Sequence, residues 1–195
     1  MEISIENAKA ALKIADDSVK KVLLFLLPEL KETEAQAVEN RPITERVKTF
    51  EDACRELGKD HPFVLAYQNT NLRDPEVAEG NRDILAYMKL RIIAAALNEG
   101  WEPQFTEDEW RWYPLFTLWT EEELSKKSEE WKADRHLIST GDYAGFAYAC
   151  SRNAPLGARA SFASRLCFKS EALATYCGKQ FISLWADLNL IKKKK

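Results

Sequence analysis

The sequence predicts an α+β fold: a helical N-terminal half followed by a small antiparallel sheet and a C-terminal helix. Three observations predict it. Up to Gly100 the apolar residues recur at helical spacing between capping residues. After Gly100 the period changes, and Trp, Tyr and Pro crowd into WEPQF and WRWYPLFTLW. Residues 139–170, STGDYAGFAYACSRNAPLGARASFASRLCFKS, then alternate small residues with Tyr, Phe and Arg. That mixture is poor material for a helix interior. It suits short strands and a contact surface, because rigid aromatics and small polar residues give contact area at low entropic cost.

Two helices open the chain. The first begins at Ser4 or Ile5, with Ala8, Ala11, Leu12, Ile14 and Ala15 at helical spacing. Asp16, Asp17 and Ser18 interrupt it and cap a second helix running to Pro28. The second helix is short and apolar from Val19 to Leu27, so it must pack on the body or on another copy of the chain. Residues 29–42 are polar and lack aromatics, which reads as a linker or a frayed helix and divides a 1–42 hairpin unit from a 43–195 α+β domain. Thr49 with Asp52 and Gly58 brackets a capped helix, and His61-Pro62 and Asp74-Pro75 start two more. The strongest helix ends at Gly100, with a stripe of Ile84, Leu85, Met88, Ile92, Ala95 and Ala96.

In WRWYPLFTLW one strand face carries Trp110, Trp112, Pro114, Phe116 and Leu118, and the other Arg111, Tyr113, Leu115, Thr117 and Trp119. Pro114 argues for an edge or bulged strand. The charged residues 121–136 form an exposed helix or a loop. Residues 145–150 and 165–169 read as two further strands, with a turn near Asn153, Pro155 and Gly157. Ser170 caps a last helix whose apolar stripe runs from Leu173 to Leu188.

Charge is uneven. Residues 1–100, 101–136 and 137–195 carry −4, −5 and +6, within a net charge of −3. Such polarity can steer an anionic partner or serve self-assembly. No secretory leader pattern is visible, so Cys54, Cys150, Cys167 and Cys177 are expected as free thiols; Cys150 and Cys167 could bridge if their strands pair. No run is long enough to span a bilayer, and no membrane partner is expected.

Chemical motifs are sparse. The cysteines lack zinc-ligand spacing, and His61 and His136 are too few for a His-rich metal site, so no metal is expected. Phosphate-cradling glycine loops and a nucleophile elbow are absent from the sequence, and no cofactor is expected. Glu107, Glu109 and Glu121 lie beside tryptophans, as the acids of a glycosidase cleft do, although clustered acids are usually solvated or fill the first turn of a helix. Arg152, Arg159, Arg165, Lys169 and Lys179 could bind phosphate or carboxylate, or stack on bases beside Tyr148 and Phe162. Arg165 and Lys169 also fit outward positions of a half-buried strand.

Four strings carry a family resemblance: ITERVKTFEDAC, KLRIIAAALNEGWEPQF, WRWYPLF and SRLCFKSEALATYCGKQFISLW. Together they resemble a family of phage and prophage proteins of Bacteroides-type gut bacteria, over roughly residues 43–188. The resemblance brings no activity with it. It implies a virion or host-cytoplasmic setting, and the segment 142–163 is similar in style to the receptor-facing segments of phage proteins with a C-type-lectin-like fold.

The expectation is therefore a non-enzymatic phage protein, a virion component or a display module for receptor binding. Tyr143, Phe146, Tyr148, Ser151, Arg152, Asn153, Arg159 and Phe162 would form its contact surface toward a protein or carbohydrate partner, with self-association through Val19 to Leu27. Replacing Tyr148 and Arg152 by Ala is expected to abolish binding with little loss of stability. The alternative is an intracellular phage protein that binds nucleic acid or inhibits a host factor through the basic C-terminal third.

Overall fold

The structure, a computed structural model, describes residues 4–27, 30, 40–104, 106, 108–139, 145–154 and 165–190. It is mixed helix and antiparallel sheet, as the sequence predicts. The chain divides into two compact units, Met1–Arg46 and Val47–Lys195.

In the first unit the sequence signals operate as read. The Ser4 hydroxyl accepts from the Asn7 N–H and opens α1 (Ile5–Ile14). Asp16 Oδ1 accepts from the N–H groups of Ser18 and Val19, both at 2.9 Å, and opens α2 (Asp17–Leu26). Among the described residues of the unit, Ala8, Leu12 and Leu30 form a small core, with Leu23, Leu24 and Leu27 packed against them. A short helix, α3 (Ile43–Arg46), ends the unit.

The second unit is built around one helix. The elements α4 (Phe50–Leu57), α5 (Pro62–Asn69) and α6 (Pro75–Ala78) lead into α7 (Arg82–Asn98). A capping box holds the start of α4: the Thr49 hydroxyl accepts from the Asp52 N–H, and Asp52 accepts from the Thr49 N–H at 2.9 Å. His61 Nδ1 accepts from the Phe63 N–H, which makes it the cap of α5. Ala86, Leu90, Ile92, Ile93, Ala94, Ala96 and Leu97 of α7 are all buried. The helix packs against α4 and α5, and later against the C-terminal helix, so it is surrounded rather than amphipathic. The stripe expected from the sequence is corrected accordingly: Ile84 is exposed and Ala95 only half-buried, while Leu90, Ile93 and Leu97 are fully enclosed. The helix ends through Glu99 in the left-handed region (φ 49°) followed by Gly100 (φ 81°).

Two strands follow, β1 (Arg111–Trp119) and β2 (Gly145–Ala154), paired antiparallel. Between them lie α8 (Glu121–Ser125), capped by Thr120 in a second capping box, and α9 (Glu129–Asp134), capped by Ser128. The register shifts between Leu115 and Phe116, so Ala149 is an extra residue on β2. Arg135 Nη1 donates to the Ala149 carbonyl, and the Arg135 carbonyl accepts from the Tyr148 N–H at 3.0 Å, so residue 135 fastens the bulge. On the far edge of β1, Trp112 exchanges backbone hydrogen bonds with Phe168 at 3.0 and 2.8 Å. Pro114 lies two residues along on that same edge, where its missing N–H breaks no bond to β2.

Residues 165–169 are thus not a strand pairing with β2. They touch the sheet through one bridge, and β1 lies between them and β2. For that reason Cys150 and Cys167 do not bridge, and all four cysteines are free thiols. Asn98 anchors the segment. Its amide donates to the Cys167 carbonyl at 2.9 Å, and its carbonyl oxygen accepts from the Lys169 N–H at 3.1 Å. The last helix is also two helices, α10 (Glu171–Gln180) and α11 (Ile182–Asn189), broken at Phe181 (φ −111°, ψ 29°). The break lets α10 lie on the sheet while Ile182, Trp185 and Ala186 are buried where α11 packs on α7.

Candidate recognition groove

The bulge decides which side chains of β2 meet. Without it Tyr148 and Ser151 would point to opposite faces. With Ala149 inserted, Tyr148 opposes Phe116 and Ser151 opposes Pro114, which puts both on one face together with Phe146 and Asn153. That face lies under α10. Gly178 permits the approach: a Cβ there would come within 2.7 Å of Pro114 Cβ and 2.9 Å of the Tyr148 ring. Phe116 stacks on Phe146 (centroids 4.9 Å) and tilts against Trp185 (5.2 Å), which completes the aromatic core.

Phe146 and Tyr148 therefore leave the predicted contact surface. They are 2% and 6% exposed and belong to the core, because the face expected to be open is covered by α10. Arg152 and Asn153 are exposed, but Arg152 opposes Tyr113 on the other sheet face. Ser151 is half-buried under α10. Tyr143, Arg159 and Phe162 lie outside the described residues.

Above the aromatic layer, three hydroxyls close a ring. The Tyr148 hydroxyl lies 2.9 Å from Ser151 Oγ and 3.0 Å from Thr175 Oγ1, and the last two are 3.0 Å apart. Three protons serve three bonds, so each oxygen keeps one lone pair for another donor. Thr175 also lines an open groove of about 740 Å³ together with His136, Glu171, Tyr176, Lys179 and Gln180. Lys179 Nζ pairs with Asp134 Oδ1 at 2.9 Å and lies 5.5 Å from the centre of the Tyr148 ring. The Lys179 ammonium holds the Asp134 carboxyl below its usual range. The Tyr176 hydroxyl donates to the Val47 carbonyl at 2.8 Å, and Gln180 Nε2 donates to the Lys48 carbonyl at 2.9 Å, which fastens this side of α10 to the body. Burial pushes the Tyr176 phenol up. His136, in the left-handed region (φ 49°), turns the chain out of α9 and is exposed at the rim.

Thr175, Tyr176 and Gln180 are not among the residues the sequence singled out. A signal was present. Ala172, Thr175, Tyr176 and Lys179 sit at i, i+3, i+4 and i+7 on α10, a stripe opposite the apolar residues Leu173, Ala174 and Cys177.

Other candidates behave differently. Glu109 accepts from the Gln104 N–H at 2.6 Å and closes a loop, and Glu121 is an exposed first-turn residue of α8. Glu107 lies outside the described residues. Burial pushes the Cys167 thiol up to about 11 and the Cys177 thiol up to about 12, the latter opposed by the facing Trp185 indole N–H. Cys54 moves in the same direction, and Asp52, Glu123 and Asp134 are held low by hydrogen bonds. Among the described residues no cluster of three His, Cys, Asp or Glu could hold a metal ion, and no helix is long and apolar enough to cross a membrane. The chain matches no family model, no curated protein and no solved structure.

Proposed function

We propose that this protein is a non-enzymatic recognition module of a phage, either a virion component or a displayed receptor-binding protein, and that it binds carbohydrate in the groove beside α10. One observation carries the binding site: Thr175, its hydroxyl held from beneath by the hydroxyls of Tyr148 and Ser151, lines the groove beside the Lys179 ammonium. A sugar hydroxyl both donates and accepts, so it can use both kinds of group at once. The exposed His136 and Gln180 and the half-buried Tyr176 ring give the groove width for more than one sugar unit. Burial keeps the Cys167 and Cys177 thiols protonated, so neither is a ready nucleophile. The phage setting rests on the four sequence strings.

The test is binding of a glycan panel to the full chain, compared with Thr175→Val and Lys179→Ala. Each variant should weaken binding at least tenfold while the tryptophan-monitored unfolding midpoint stays close to that of the parent. A parent that binds no glycan, or variants that bind as the parent does, would overturn the proposal.

A second reading is favoured by exposed Arg152 and Arg165 in the basic third: binding of nucleic acid inside the host. It requires an affinity for single- or double-stranded DNA that falls steeply with salt. No binding at low salt would remove it.

A further inference from the structure

Helix α2 is apolar on two sides. Leu23, Leu24 and Leu27 face the small core of the first unit. Val19, Val22, Phe25 and Leu26 are 47%, 56%, 80% and 64% exposed. At about 100° per residue these four fall in an arc of about 120° on the far side of the helix. A helix apolar on both sides needs cover on both.

We propose that the second cover is another copy of this chain, with α2 packed antiparallel against α2 of its twin about a two-fold axis at Val22. The spacing of the patch argues for it. Val19 and Phe25 lie three residues to either side of Val22, so the axis sets each Val19 against the partner's Phe25, small against large. Val19, Val22 and Leu26 also follow the i, i+3, i+7 rhythm of a helix–helix seam. Charge selects the direction. A parallel pair would stack Asp16 and Asp17 on their copies and Lys20 and Lys21 on theirs. The antiparallel pair sets Asp17 by the partner's Leu27, about 15 Å along the helix from its copy, and so relieves the acidic end, while Lys21 flanks the axis, about 100° around the helix from the centre of the apolar patch. Size fits as well. The four side chains expose on the order of 400 Å², the scale at which an apolar patch marks a contact site. Two patches together give about 800 Å², the scale of a weak, concentration-dependent dimer.

Sedimentation velocity on the full chain should show a reversible monomer–dimer equilibrium in the micromolar range, and Val22→Asp and Phe25→Asp should each raise the dissociation constant at least 100-fold. A second measurement does not depend on a disruptive substitution. Val22→Cys places two thiols at the axis and should cross-link under diamide. Ser18→Cys should not, because in the antiparallel pair the two positions lie about 12 Å apart along the helix. Three outcomes would overturn the proposal: a parent that stays monomeric near 1 mM, charged variants that dimerise as the parent does, or a cross-link at position 18 but not at 22. A monomeric parent that sediments with lipid vesicles would assign the face to a membrane instead.

Discussion

Phe168 and Phe25 are the same residue in two regions of one chain, and they have opposite surroundings. Phe168 is fully buried in the Val47–Lys195 unit, between the β1 edge and the end of α7. Phe25 in the Met1–Arg46 unit is 80% exposed. The difference lies in the number of layers within reach. In the larger unit, helices cover the sheet and surround α7, so even the aromatics of residues 145–150 find a covering element. The described part of the smaller unit packs α1 and α2 around Ala8, Leu12 and Leu30, and there the outer side of α2 is left exposed. Sequence hydrophobicity sets what should be buried. The count of elements within reach decides what is.

The largest expected effect tests that contrast directly. All six tryptophans lie in the larger unit, so their fluorescence reports on it alone. Phe168→Ala should cost about 3–5 kcal/mol in denaturant unfolding followed by tryptophan emission. Phe25→Ala should leave that transition within about 0.5 kcal/mol, as solvent-exposed substitutions do. Equal losses at the two positions would break the comparison.

Next comes the closest approach in the larger unit. Gly178→Ala would press a methyl group into Pro114 and the Tyr148 ring, neither of which can swing aside. Overpacking of this kind costs about 1–3 kcal/mol. The same experiment reads it, and Tyr148→Ala tests the corrected role of that residue. It should lower stability by about 3 kcal/mol or more, as truncating a buried aromatic does, where a surface residue would lose only binding.

Local signals in the sequence were the readable part. Ser4, Asp16, Thr49, His61 and Ser170 each make the capping hydrogen bond that their residue types promise. They are legible because a cap involves only residues a few positions apart. The aromatic positions of WRWYPLFTLW were legible for a similar reason, since strand alternation is local. Three features were not. The bulge at Ala149 exists through pairing with β1 and the grip of Arg135, fourteen residues away. The covering of Tyr148 depends on Gly178 of α10, and the clamp on residues 167–169 depends on Asn98. Each is a long-range event, and the groove assembles from all three. The polar stripe of α10 was the one part of the site written locally.

The smallest effect separates polar capping from apolar burial in the larger unit. The Thr49 hydroxyl, with the N–H groups of Lys48 and Thr49, holds the Asp52 carboxyl below its usual range, and Arg55 adds an ion pair at 3.0 Å. A carboxylate with a lowered folded-state pKa stabilises the fold above its unfolded value, and that contribution is lost as pH falls through the folded value. The loss therefore begins below about pH 4 and deepens toward pH 2. Glu123 and Asp134 are lowered too, but both are open to solvent, where screening leaves little net effect. Replacing Asp52 by Asn should make tryptophan-monitored stability less sensitive to pH between about pH 4 and 2, and should lower it slightly at pH 7. Thr49→Ala, which removes the reciprocal half of the box, should cost about 1 kcal/mol at neutral pH. If the acid limb of Asp52→Asn overlays that of the parent, the caps contribute nothing that titrates, and burial alone accounts for the stability of this unit.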